Sequence, residues 1–142
     1  MYKFIKSVYK SQATEQDIND LEKKWNICFP KLLKEYYMKY DNSKIYICRI
    51  IVDGFEHELS GILPIQGTGY SLNQAINNDR LDELISEEYT PFAYNRGGDY
   101  YYWNSTDEGI YVIYCDDIES YIHICDGFET FFSIMEAGVV IE

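Results

Sequence analysis

The sequence predicts a single α+β domain over residues 1–142: an antiparallel β-sheet meander with an N-terminal helix pair and a C-terminal helix packed on it. Three observations predict this. Apolar residues recur at helical spacing in the first forty residues and again after residue 126. The stretch between them turns to β-branched and aromatic runs separated by Gly, Asn, Asp and Ser. No internal repeat or low-complexity linker divides the chain, and with 142 residues, 46% hydrophobic and only three Pro, it can build a core rather than stay disordered.

The elements follow in order. Residues 2–10 are undecided, although Phe4, Ile5 and Val8 are spaced for a short helix. Thr14 with Asp17 resembles a capping box, and Ile18, Leu21 and Trp25 continue at helical spacing, which predicts a helix over 14–26. Pro30 suits the first position of the next helix because its missing N–H is not needed there. Leu33, Tyr36, Tyr37 and Tyr40 form that helix's apolar stripe, and Asp41-Asn42-Ser43 should stop it. A strand is expected over 45–52, ending at Asp53-Gly54, and a second extended piece over 57–65. Residues 71–86 return to helical character with Leu72, Ala75, Ile76, Leu81, Leu84 and Ile85 on one side, and Asn77-Asn78-Asp79 is where this helix would break. Residues 91–125 read as a meander with turns at 95–98 and 105–109. The closing helix places Phe128, Phe131, Phe132 and Met135 on one stripe, with Asp126 and Glu129 spaced to cap its start.

Net charge at pH 7 is −12, and it is uneven. Residues 1–40 hold eight Lys against five acids, whereas 41–142 hold four bases against 19 acids, a local balance of −15. Such a surface repels nucleic acid and anionic membrane and favours a basic partner. No apolar run reaches the roughly 18 residues a membrane helix needs, and the amino terminus shows no apolar signal core, so a cytoplasmic protein is expected. Cys28, Cys48, Cys115 and Cys125 are far apart and form no zinc or dithiol spacing, so they read as reduced, packed thiols and no metal or other cofactor is expected.

Little in the sequence suits catalysis. His57 and His123 lie in no metalloprotease or nucleophile-elbow motif. His123 and Cys125 are two apart on an expected strand and could meet as a nucleophile pair, although two ordinary residues on a half-exposed face is the favoured reading. Adjacent carboxylates such as Asp116-Asp117 point to opposite faces of a strand and make poor acid–base dyads. Gly97 and Gly98 allow the positive φ of a tight turn, with no helix following to make a phosphate cradle, and Asp99 should brace that turn through backbone N–H groups. No catalytic residue is therefore assigned.

Eight of the fifteen tyrosines fall between Tyr89 and Tyr121. Strand alternation puts Tyr101 and Trp103 on one face and Tyr100 and Tyr102 on the other. A two-layer domain buries one sheet face, which leaves some rings exposed; they serve either as interface anchors or as strand-forming core residues. The expected partner surface comprises Asp107, Glu108, Asp116, Asp117 and Glu119, gathered by the meander turns beside Tyr100, Tyr102 and Tyr121. The acidic segment around Asp82, Glu83, Glu87 and Glu88 is the next candidate.

Three groups of residues carry a family resemblance. They are Thr14-x-x-x-Ile18-x-x-Leu21-Glu22 leading to Phe29-Pro30-x-x-Leu33-Lys34-Glu35-Tyr36-Tyr37; Pro91-Phe92-Ala93 followed by Gly97-Gly98-Asp99-Tyr100-Tyr101-Tyr102-Trp103; and Asp126-Gly127-Phe128-x-x-Phe131-Phe132. In this order, over about residues 14–135, the chain resembles the SUKH superfamily, which includes Smi/Knr-type cell-wall assembly regulators and many bacterial immunity proteins. One departure is Asp41-Asn42-Ser43, which stands where the family often has Asn-Gly or Gly-Gly. Trp25, Pro30, Gly97, Gly98, Asp99, Phe128, Phe131 and Phe132 are expected to have structural roles. The resemblance implies a non-enzymatic protein that binds a cognate toxin, frequently a basic nuclease domain, or alternatively a regulatory scaffold that binds cellular proteins.

Overall fold

The computed structural model describes residues 2–8, 12–67 and 69–141. It is an α+β domain with three antiparallel sheets. The chain opens with β1 (Ile5–Ser7), not a helix. Ile5 pairs with Ile45 of β2 (Lys44–Ile45), and this long-range pairing overrides the helical spacing of a segment too short to hold a helix alone. Residues 9–11 lie outside the described residues.

Helix α1 (Glu15–Trp25) starts at the expected capping box: the Asp17 N–H donates to Thr14 Oγ1 while the Thr14 N–H donates to Asp17 Oδ2 at 2.8 Å. Asn26, left-handed at φ 54°, ends it. Helix α2 (Lys31–Tyr40) follows with Pro30 as its N-cap, one position before the one expected. Asp41 ends α2 and is fully buried, and its carboxylate accepts from the Ile65 and Gln66 N–H groups, each at 2.8 Å. The Tyr37 hydroxyl donates to the Leu63 carbonyl at 2.8 Å, so α2 fixes the segment that leads into the third helix.

The expected strand over 45–52 is two strands. β2 stays with β1, while β3 (Cys48–Val52) turns away to pair with β4 (Phe55–Leu59) across Asp53 and Gly54, both at positive φ. Those angles suit a two-residue hairpin whose twist matches its strands. The expected piece over 57–65 also divides, because after Ser60 the chain changes sheet and β5 (Gly61–Ile62) joins the large one. The Tyr94 ring lies where a Cβ on Gly61 would be, so only glycine lets the crossing pass.

Helix α3 (Leu72–Asp82) runs unbroken through Asn77-Asn78-Asp79. A Ser71–Gln74 capping box starts it and Leu72, Ala75 and Ile76 are buried, so one anchored turn carries polar residues that would not hold a helix alone. The apolar stripe ends there, since Leu81 and Leu84 are exposed. The meander then forms as expected: β6 (Tyr89–Tyr94), β7 (Tyr100–Asn104), β8 (Ile110–Ile113) and β9 (Tyr121–Cys125), in the order β5-β6-β7-β8-β9. Helix α4 (Phe128–Glu136) closes on the sheet. Its N-cap is Gly127 without a side-chain cap, because Asp126 points outward to His123, 2.9 Å from its Nε2. A short β10 (Val139–Val140), not expected from the sequence, then pairs with β3.

The core is aromatic. Phe92 of β6 meets Phe128 at 4.8 Å and Phe131 at 5.4 Å between ring centroids, and Trp103 meets Phe29 at 5.5 Å. Tyr36 of α2 stacks on Phe132 at 5.6 Å, and Phe4 from the amino terminus stacks on the same ring. Thus α2, α4 and the amino-terminal segment cover the inner face of the five-stranded sheet. Trp25 is tied from outside this core, its indole N–H donating to Asn73 Oδ1 at 2.9 Å with the Arg80 guanidinium over its ring. This contact joins the end of α1 to α3.

Candidate protein-interaction surface

Of the expected site residues, Tyr100, Tyr102 and Tyr121 lie on the outer face of the five-stranded sheet, while the five acids lie in its turns. Register puts Tyr102 opposite Tyr111, Tyr111 opposite His123, and Ile113 between Tyr100 and Tyr121. Tyr89, on β6, packs edge-on against Tyr111 at 5.3 Å and against Tyr121 at 4.7 Å. These three rings are half-buried and form one cluster. Beside it the Tyr111 hydroxyl donates to Asp107 Oδ2 at 2.5 Å. That bond holds the Asp107 carboxyl below its ordinary pKa and pushes the Tyr111 phenol up to about 12. The His123 ring lies 5.2 Å from Tyr111 and pairs with Asp126, so an aromatic, acid-bordered patch is complete at this end of the sheet.

The other expected residues are placed differently. Asp107 and Glu108 sit in the β7–β8 turn, where Asp107 accepts from the Gly109 N–H at 2.8 Å and Glu108 takes a positive φ of 62°. Asp116, Asp117 and Glu119 are exposed in the β8–β9 connection at the opposite end of β8. The turns therefore do not gather these acids; the four residues of β8 separate them by roughly 13 Å. Tyr102 is not exposed: it is 3% accessible, covered by Asp79 of α3 and by the segment that follows it. Tyr100 and Tyr121 are half-buried.

Asp99 does brace its turn. It exchanges side-chain and backbone hydrogen bonds with Asn95 at 2.9 and 3.0 Å, and its Oδ1 accepts from the Cys115 N–H at 2.8 Å, which ties the β6–β7 turn to the β8–β9 connection. Gly98 takes φ 86°, whereas Gly97 has no such requirement. Glu58, on β4, accepts from the Arg96 backbone and guanidinium, and that bonding lowers its carboxyl to about 2. The turn is thus hydrogen-bonded on both sides.

His123 and Cys125 do not form a nucleophile pair. A register irregularity near Ile110 and Tyr111 interrupts the alternation of β9, so His123 stays outside while Cys125 is buried with its thiol donating to the Gly127 carbonyl at 3.4 Å. Burial pushes the Cys125 thiol up, away from the thiolate a nucleophile needs. His57 is buried against the Tyr114 hydroxyl at 2.6 Å, and burial lowers its pKa. All four cysteines are free, but only Cys48 and Cys125 are packed; Cys28 and Cys115 are exposed. Among the described residues no group of three His, Cys, Asp or Glu is placed to hold a metal ion, and no helix is long and apolar enough to cross a membrane.

Tyr89, Tyr111, His123 and Asp126 were not expected at the surface site. Alternation along β7, β8 and β9 was the available signal, since Tyr100, Tyr102, Tyr111, Tyr121 and His123 share one parity once the register is known. A comparison with curated proteins finds no match. The model of the SMI1/KNR4 family (SUKH-1) matches residues 12–134, from the residues just before the first helix to within the last. A match over that share of the sequence, on a fold with the helix pair, meander and closing helix in place, shows that the chain belongs to the SMI1/KNR4 family (SUKH-1).

Proposed function

We propose that the chain is a non-enzymatic immunity protein that binds and neutralises a cognate toxin, a basic protein domain, through the acidic aromatic outer face of its sheet. One observation carries this reading: the Tyr89–Tyr111–Tyr121 cluster, bordered by Asp107 and Asp126, stands on a half of the chain whose charge balance is −15. Stiff rings with polar tips supply interface area at low entropic cost, while carboxylates steer and select a cationic partner. A nuclease domain has such a basic surface because its substrate is polyanionic.

Co-expression tests the reading. Where a toxin gene neighbours this one, cells that make that toxin should survive when the chain is made, and the two proteins should co-purify as a complex. A toxin left fully active by the folded chain overturns it. Recovery of a host regulatory protein instead would put the scaffold reading in its place.

A further inference from the structure

At the other end of the outer face lies a cavity of about 160 Å³ between the end of α3 and the sheet. Tyr100 and Tyr102 form its aromatic wall, Leu84, Ile85, Ile113 and Ile118 its apolar rim, and Asp79, Asp82 and Asp99 its carboxylates. The Oδ2 atom of Asp79 is buried and has no hydrogen-bond partner. Two physical conflicts meet there. That oxygen loses its hydration with no donor in return, and burial raises the Asp79 carboxyl to about 6 although the Tyr102 hydroxyl bonds the carboxylate and the Arg80 charge pulls the value down. Asp79 and Asp82 also occupy the last turn of α3, where the helix dipole disfavours negative charge. The one cation of that turn, Arg80, is directed elsewhere: it donates to the Trp25 carbonyl at 3.1 Å and lies 3.6 Å from Glu87.

A cation with donors would relieve both conflicts. We propose that this cavity receives the guanidinium of an arginine side chain from the basic partner, as the anchor of the complex. Arginine fits better than lysine because its planar fork can meet a carboxylate with two parallel bonds and lie against tyrosine rings, and it is the more weakly hydrated cation. Asp79 lines the cavity, so a guanidinium seated there lies beside its carboxylate. The volume admits one side chain, so the cavity recognises a single projecting residue.

The inference rests on the reading of a basic protein partner and adds where its anchor enters. Its test needs no toxin. The tripeptide acetyl-Gly-Arg-Gly-amide and its isosteric neutral citrulline counterpart are titrated into the ¹⁵N-labelled full chain. Saturable amide shifts at Tyr100, Tyr102, Ile113 and Ile118 are expected with arginine, and at least tenfold weaker binding with citrulline. Asp79→Asn, which keeps shape and removes the charge, should melt no lower than the parent and lose at least tenfold in arginine binding. Equal binding by Asp79→Asn, or non-saturating shifts spread over Asp107, Asp116 and Glu119, overturns the proposal. A chain that binds the peptide here but fails to protect cells contradicts the immunity reading and leaves the cavity assignment standing.

Discussion

Asp79 stands where helix electrostatics and burial both oppose a carboxylate, and this has a thermodynamic signature. The folded carboxyl keeps its proton up to about pH 6, while the ordinary value is 3.8. Between these values the native state binds more protons than the unfolded one, so this group's contribution makes stability fall as pH rises through that window. At pH 7 the cost is on the order of 1–2 kcal/mol after allowance for the partly exposed side chain. Asp79→Asn should therefore raise the melting temperature at pH 7 and have little effect at pH 3.5. A melting difference equal at both values contradicts the account. Cys125 and His123 call for the opposite test, of indifference: with the thiol buried and the imidazole outside, changing both to Ala should leave toxin protection intact in a folded protein. Loss of protection by a folded double variant, or turnover by the parent, would bring an enzymatic role forward.

Among the elements, α4 carries the clearest packing prediction. Phe131 is fully buried against Phe92 and Tyr101, so Phe131→Ala should cost about 3–5 kcal/mol in chemical denaturation. A loss below about 1 kcal/mol would take the side chain out of the core. This stripe was legible in the sequence because its i, i+3, i+4, i+7 spacing is local, and the Thr14–Asp17 cap and the 95–98 turn were legible for the same reason. What was not legible depends on partners distant in sequence. Residues 5–7 are a strand only because Ile45 pairs with them, and the 45–52 run breaks because β2 and β3 find different sheets. The helix over 72–82 survives its Asn-Asn-Asp centre because the Ser71–Gln74 cap and three buried side chains hold its first half. The surface site was legible in part. Composition showed an acidic, tyrosine-rich half, but burial of Tyr102 required α3 beside the sheet, and the separation of the two acidic turns required the register of β8.

For the whole molecule, the geometry separates the acidic residues into two groups. Asp107 is bonded to Tyr111 and to its own turn, so it contributes to the shape of the aromatic patch as well as to the field. Asp116, Asp117 and Glu119 are exposed, and their reversal to Lys changes net charge by about six units with little expected effect on folding. Long-range steering depends on such solvated charges and weakens as the screening length falls to about 8 Å near 0.15 M salt. The central claim is that a basic toxin domain docks on this acidic aromatic face. Its most direct test is the association rate of the cognate toxin with the parent and with the Asp116→Lys, Asp117→Lys, Glu119→Lys variant, measured by surface plasmon resonance at 50 and 300 mM salt beside a thermal melt of each protein. The account predicts that the parent's association slows clearly with salt while dissociation changes less, and that the folded variant associates slowly at both concentrations; an unchanged association rate in the folded variant would contradict it.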